Sequence, residues 1–176
     1  MGTTTILLNL LTSIAVFGIL PLCVAALFLR ALHRAELANP DRYHDPAGRT
    51  GDIVTGTLGV AVGIGLWLVW FSWGDPAHYA SWSVTGCAIT AFLAILLLGF
   101  AARWRYTGPF CGAYGGLFAF SASYAVDTAF YDESGLWGVG YFSIVLGGGV
   151  LVSLIALGIM LIRTPKLPHG TRADHR

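Results

Sequence analysis

The apolar residues of this chain fall into five long blocks separated by short polar segments. Each block holds about 20 residues, the length that an α-helix needs to cross the hydrocarbon layer of a membrane. The pattern predicts an all-α integral membrane protein, a bundle of five transmembrane helices over about residues 6–29, 53–73, 82–102, 109–130 and 136–162. Residues 163–176 would form a short cytoplasmic tail, and the whole chain would be one polytopic domain.

All ten Lys and Arg residues lie on one side of this five-helix arrangement. They follow the first, third and fifth blocks, and the two loops that alternate with these segments contain none. Because loops rich in Lys and Arg stay in the cytoplasm, the N-terminus is expected outside and the C-terminus in the cytoplasm. The fourth block is the least apolar, since it holds Asp127 and several glycines, but only five crossings put every basic residue on one face.

The amino-acid composition supports a membrane protein and limits the classes of partner that it could bind. Hydrophobic residues make up 56% of the chain and charged residues 11%, whereas a soluble domain carries about 25% charged residues. The net charge is +1 and the basic residues form no long run, so no nucleic-acid partner is expected. The bilayer itself is the expected partner, and Arg outnumbers Lys, as is typical of bacterial genomes rich in G and C. The predicted location is a plasma membrane or bacterial inner membrane.

Small residues recur at helical spacing on four of the five predicted helices. Since lipid provides no hydrophobic drive for helix association, such residues let helices approach closely. They predict a tightly packed bundle, and Gly-rich faces that could contact a partner membrane protein or a second copy. The residues are Gly56, Gly59 and Gly63; Ser83, Gly86, Thr90 and Ala94; Gly112, Gly116, Ala119 and Ser123; and Ser143, Gly147, Gly149 and Ser153.

Asp127 is the one charged residue inside a predicted span. It continues the stripe of small residues on the fourth helix, so its carboxylate is expected to face the bundle, where it could serve as a proton-linked group or a cation ligand. The alternative is structural, because Asp127 lies about one turn from the outer end, where water or the following turn could satisfy it.

The predicted outer surface carries further acidic residues and a histidine without an opposing Lys or Arg. Asp127 with Asp132 or Glu133 would be the catalytic acid and base of an enzyme, since that work needs two carboxylates in different environments. Asp75 and His78 are weak candidate metal ligands. No ligand-spacing motif supports them, acidic turns are common on outer faces, and no cofactor is expected.

Two further groups of residues are best interpreted as structural rather than functional. His33 and Glu36 are three residues apart on a segment that could continue the first helix for two turns, until Asn39 and Pro40 stop it. Di-metal bundles use a Glu-x-x-His pair of the same spacing, but they need partner carboxylates inside the bundle, and the predicted spans supply none nearby. The sequence therefore favours a solvated surface pair. Cys23, Cys87 and Cys111 lie in predicted spans without CxxC spacing and at different depths, which favours packing residues over a metal site.

Three function classes follow from these observations. The leading hypothesis is a non-enzymatic accessory or structural subunit of a larger membrane complex, because the chain is small and has few buried polar groups. The second is a small transporter or channel component that uses Asp127. The third is a membrane enzyme acting on a lipid or isoprenoid substrate with the outer-face carboxylates, so whether the protein is an enzyme stays open.

Overall fold

The structure is a computed structural model that describes residues 3–73, 79–131 and 136–163. The described chain is helical apart from its connecting loops, so the predicted all-α class is confirmed. The elements are α1 (Thr3–Ser13), a π-helical segment (Ile14–Ile19), α2 (Leu20–Ala38), α3 (Pro40–Tyr43), α4 (Asp52–Trp70), α5 (Ser81–Ala101), α6 (Thr107–Tyr131) and α7 (Trp137–Arg163).

Four helices of the described chain are long and apolar enough to cross a membrane. They cover Leu10–Ala38, Asp52–Trp70, Ser81–Ala101 and Trp137–Arg163. They correspond to the first, second, third and fifth predicted spans, and the first helix continues beyond its predicted span to Ala38. These features are compatible with a multi-pass membrane protein. The predicted fourth span corresponds to α6, and a count of five crossings stays a prediction.

Helix α6 lies in the middle of the bundle, which accounts for its lower apolarity. It packs against α4 through glycines, against α7 through a 2.8 Å hydrogen bond between Tyr114 and Ser153, and against α2 through Phe28 and Phe110. Ser121 and Ala125 are almost fully buried along it. Because neighbouring helices shield α6 from the surroundings, it needs fewer large apolar side chains than a helix that faces lipid.

The contact between α4 and α6 confirms the predicted role of small residues on these two helices. A Cβ added to Gly59 would clash with the carbonyl of Gly112, and a Cβ added to Gly63 would clash with the carbonyl of Gly116. The backbones of the two helices therefore touch at both positions. On α7 the expectation is only partly correct, since Gly147 is exposed and a Cβ added there would meet open space.

The first helix changes its winding before Pro21. The π-helical segment contains a bond from the backbone N–H of Leu20 to the carbonyl of Ala15, five residues earlier. Pro21 has no N–H to donate to the preceding turn, so the regular ladder is interrupted at this point. The sequence predicts a disturbance at Pro21, and the structure places it in the turn that precedes the proline.

Three segments that follow helices meet at one end of the bundle. The loop after α2 bonds to the turn after α5, through Arg49 N–H to the Ala101 carbonyl (2.8 Å) and Arg103 N–H to the Thr50 carbonyl (2.7 Å). The C-terminus of α7 joins them through Arg163. We call this region, residues 33–52, 99–107 and 163, the basic end, because seven of the protein's basic residues lie in or next to it: Arg30, Arg34, Arg42, Arg49, Arg103, Arg105 and Arg163.

Candidate metal centre

Four polar side chains from three helices converge at the basic end. His33 and Glu36 lie on the last turns of α2, three residues apart and so on one face. Asp52 is the first residue of α4, where the positive end of the helix dipole favours a carboxylate. Thr107 is the first residue of α6. The close approach of these helix ends brings together residues that are far apart in the sequence.

Glu36 is the most buried member, with none of its surface exposed. Its Oε1 accepts a 2.6 Å hydrogen bond from the backbone N–H of Tyr106, and its Oε2 accepts a 2.6 Å bond from the Thr107 hydroxyl. The carboxylate thus caps the N-terminus of α6, where free N–H groups favour an anion. The expectation that His33 and Glu36 form a solvated surface pair is wrong for Glu36, because the turn before α6 folds over it.

The Thr107 hydroxyl contacts two carboxylates at once. Its Oγ1 lies 2.6 Å from Glu36 Oε2 and 2.7 Å from Asp52 Oδ2. A hydroxyl carries a single hydrogen, so it can donate to only one of these oxygens. The other short contact is favourable only if that carboxyl carries a proton or if a cation balances the two charges. The cluster therefore holds either a proton on one of the two carboxyl groups or a cation that balances both.

His33 completes a set of donors of mixed type. Its Nδ1 lies 3.0 Å from Asp52 Oδ2 and 3.8 Å from Glu36 Oε2. Asp52 Oδ1 is a buried atom without a hydrogen-bond partner among the described residues, whereas Nδ1 has the ion-pair contact with Asp52 Oδ2. Within the described ranges, His33, Glu36 and Asp52 form a group of metal-type donors whose ligand atoms lie within 4.8 Å of one another.

These distances suit one shared ion after small side-chain shifts. Ligand atoms bound to a single metal at about 2.1 Å can be no more than about 4.2 Å apart. Two carboxylate oxygens, an imidazole nitrogen and a hydroxyl make a set that suits a divalent ion such as Mn²⁺. The Trp104 ring stands 5.3 Å from the His33 ring, edge to face, and limits its movement.

Next to the cluster, two arginines form hydrogen bonds with the C-terminal ends of α5 and α7. Arg163 donates 2.6 Å hydrogen bonds to the carbonyls of Gly99 and Ala102 at the C-terminus of α5, and Arg105 donates to the Arg163 carbonyl (2.7 Å). A cation at a helix C-terminus interacts favourably with the negative end of the helix dipole. Arg163 also pairs with Asp45 at 3.1 Å, and this hydrogen bond holds the pKa of the Asp45 carboxyl below its ordinary value.

The outer-end candidates are distant from this cluster. Asp127 is half-buried on α6, twenty residues from Thr107, which corresponds to about 30 Å along the helix. It lies near Tyr79, and burial together with the charge of Asp127 raises the pKa of Tyr79 to about 12. The other four candidates, Asp75, His78, Asp132 and Glu133, lie outside the described residues, so their roles stay predictions.

The three cysteines remain separate in the structure and none forms a disulfide. Cys87 is buried beside Trp67 and Phe71, which is the packing role that the sequence favours. Cys23 is exposed on α2 instead, and Cys111 is half-buried on α6.

The sequence did not indicate Asp52 as a partner of His33 and Glu36. Partner carboxylates are expected inside the predicted spans, whereas Asp52 lies at the boundary between a loop and a span. One signal was available, since an acidic residue directly before a long apolar block marks a helix N-terminus at membrane depth. Comparisons of the chain with protein-family models, curated proteins and solved structures found no match.

Proposed function

We propose that this chain is a small multi-pass protein of a bacterial cytoplasmic membrane that binds a divalent cation through His33, Glu36 and Asp52. The observation that carries the proposal is the Thr107 hydroxyl, which stands at hydrogen-bond distance from two carboxylates with one hydrogen to share. The positive-inside pattern supports a cytoplasmic position for the basic end. A cation there would balance the carboxylates and join α2 to α4 and α6.

Among the three function classes, this site favours the non-enzymatic accessory or structural subunit. Glu36 is fully buried and already accepts hydrogen bonds from the N-terminus of α6, so its geometry suits a structural ligand better than a group that must meet a substrate. The transport and enzyme hypotheses depend on outer-end carboxylates, and Asp127 lies about 30 Å along α6 from the cluster. In this proposal the cation fixes the first helix on the bundle.

Titration of the detergent-solubilised protein with Mn²⁺ tests the proposal. We expect one ion per chain, and we expect Glu36→Gln and Asp52→Asn each to weaken binding about 10-fold or more, since each removes a charged ligand. The matched control is Asp41→Asn, which removes an exposed carboxylate from the short helix α3 next to the cluster. Equal binding by the wild type and both cluster variants would overturn the proposal.

A further inference from the structure

Asp52 belongs to a second feature, a groove that runs from the basic end into the apolar part of the bundle. The groove lies between α2, α4 and α6 and has a volume of about 530 Å³. Its walls are apolar, and they include Leu22 and Ala25 on α2, Val60 on α4 and Gly115 on α6. Asp52 is its one charged lining residue.

The position of the groove fits one lipid tail. Its α4 wall extends from Asp52 to Val60, which is about 12 Å along the helix axis. The hydrocarbon core of a bilayer is about 30 Å thick, so this depth is most of one leaflet. Its outer rim is formed by exposed residues, Ile53 and Thr57 among them, so a lipid could enter sideways from the leaflet.

The charges at the mouth of the groove indicate which headgroup would lie there. Arg30 is exposed and lies four residues after Ala26, which lines the groove, so helical spacing puts it at the edge of the α2 wall. A guanidinium is a good ligand for a phosphate oxygen. The carboxylates of Glu36 and Asp52 repel a phosphate, however, unless a cation stands between them and the lipid.

We infer that the groove holds one acyl chain of a membrane phospholipid whose phosphate is bound by Arg30 and by the cation at His33, Glu36 and Asp52. This inference rests on the proposed cation site. It adds a ligand to that site, because a divalent ion held by three protein donors keeps coordination positions for further oxygen atoms. Retention of the phospholipid therefore depends on the cation, whereas the cation can bind without the lipid.

Native mass spectrometry of the solubilised protein mixed with dioleoyl phosphatidylglycerol tests this inference. With Mn²⁺ we expect one retained lipid per chain, and with a chelator we expect retention to fall at least several-fold. Dioleoylglycerol has the same tails without the phosphate and should show no dependence on Mn²⁺. Equal phospholipid retention with Mn²⁺ and with chelator would overturn the bridging role of the cation.

Variants separate this inference from the proposed cation site. Val60→Phe should fill the groove two turns from Asp52 and displace the lipid without changing Mn²⁺ affinity, whereas Val69→Phe, at an exposed position of α4 outside the groove, should retain it. Arg30→Gln should weaken retention of phosphatidylglycerol, and Arg49→Gln, in the loop, should not. If Val60→Phe and Arg30→Gln bind Mn²⁺ and retain lipid as the wild type does, the lipid inference fails while the cation site stands. A wild type that binds no Mn²⁺ would remove both.

Discussion

The carboxylate of Glu36 and the hydroxyl of Thr107 lie 2.6 Å apart, where the first long helix ends and the central helix begins. The two residues are 71 positions apart in the sequence. Both side chains are almost fully buried, so the bond is shielded from competing water. Together with the bond from Tyr106 N–H to Glu36 and the contact of His33 with Asp52, it gives the end of the first helix a fixed polar contact with the bundle.

Thr107→Val should lower the stability of the protein because it keeps the side-chain shape and removes the hydroxyl. Glu36 Oε2 would lose its short hydrogen bond in a buried position, which costs about 1–3 kcal/mol. Thermal unfolding in detergent measures the effect. The matched control is Thr57→Val on α4, where the exposed hydroxyl bonds only to the Ile53 carbonyl of its own helix. Equal unfolding midpoints for the two variants would contradict a special role for Thr107.

Gly63→Ala should destabilise the bundle, since the added methyl group would clash with the Gly116 carbonyl and lie 3.0 Å from the Ala119 Cβ. Overpacking of this kind costs about 1–3 kcal/mol. Gly65→Ala is the control two residues away, where the methyl group meets open space. That variant should unfold at the same temperature as the wild type or higher, because Ala favours a helix over Gly. A destabilised Gly65→Ala with a stable Gly63→Ala would contradict the observed α4–α6 contact.

The Asp45–Arg163 pair should make the stability of the basic end depend on pH. The hydrogen bond from Arg163 lowers the pKa of Asp45 from its ordinary value of 3.8. The pair therefore contributes fully above the unfolded-state pKa near 4, and its contribution falls as the pH drops through the lower folded-state value. Asp45→Asn should unfold at a lower temperature than the wild type at pH 7, and the difference should shrink towards pH 3. The control is Asp41→Asn on the neighbouring α3. A stability difference between Asp45→Asn and the wild type that grows as the pH falls would contradict this prediction.

Reporter fusions test the orientation that the basic residues predict. A reporter active only in the cytoplasm should be active at the C-terminus and in the Arg103–Tyr106 turn, and silent at residues 75–78. Both cytoplasmic positions follow from the Lys and Arg distribution. A periplasmic location for the Arg103–Tyr106 turn would contradict the five-span arrangement.

The helices could be predicted from the sequence because their signal is local. Apolar blocks of membrane length identified α4, α5 and α7 closely, and the glycines at 59, 63, 112 and 116 identified a helix contact that the structure contains. The sequence also indicates that the polar segment after Leu29 could continue the first helix for about two turns. It continues as helix to Ala38, where Asn39 and Pro40 follow.

The candidate site could not be predicted because it depends on long-range contacts. Nothing local connects Glu36 with Asp52 or Thr107, which meet only when the turn at 102–106 folds against the end of α2. Asp127 was a predicted functional residue because it is an isolated charge in an apolar block. The structure places it on α6 far from the one group of converging metal-type donors within the described residues.

The most direct test of the account is the identity of the nitrogen ligand of the bound ion. Electron spin-echo measurements on Mn²⁺ bound to the solubilised protein should show coupling to one histidine nitrogen. The coupling should disappear in His33→Ala and persist in His44→Ala, which removes the other histidine beside Trp104. Bound Mn²⁺ without nitrogen coupling, or with coupling that survives His33→Ala, would contradict a cation site at His33, Glu36 and Asp52.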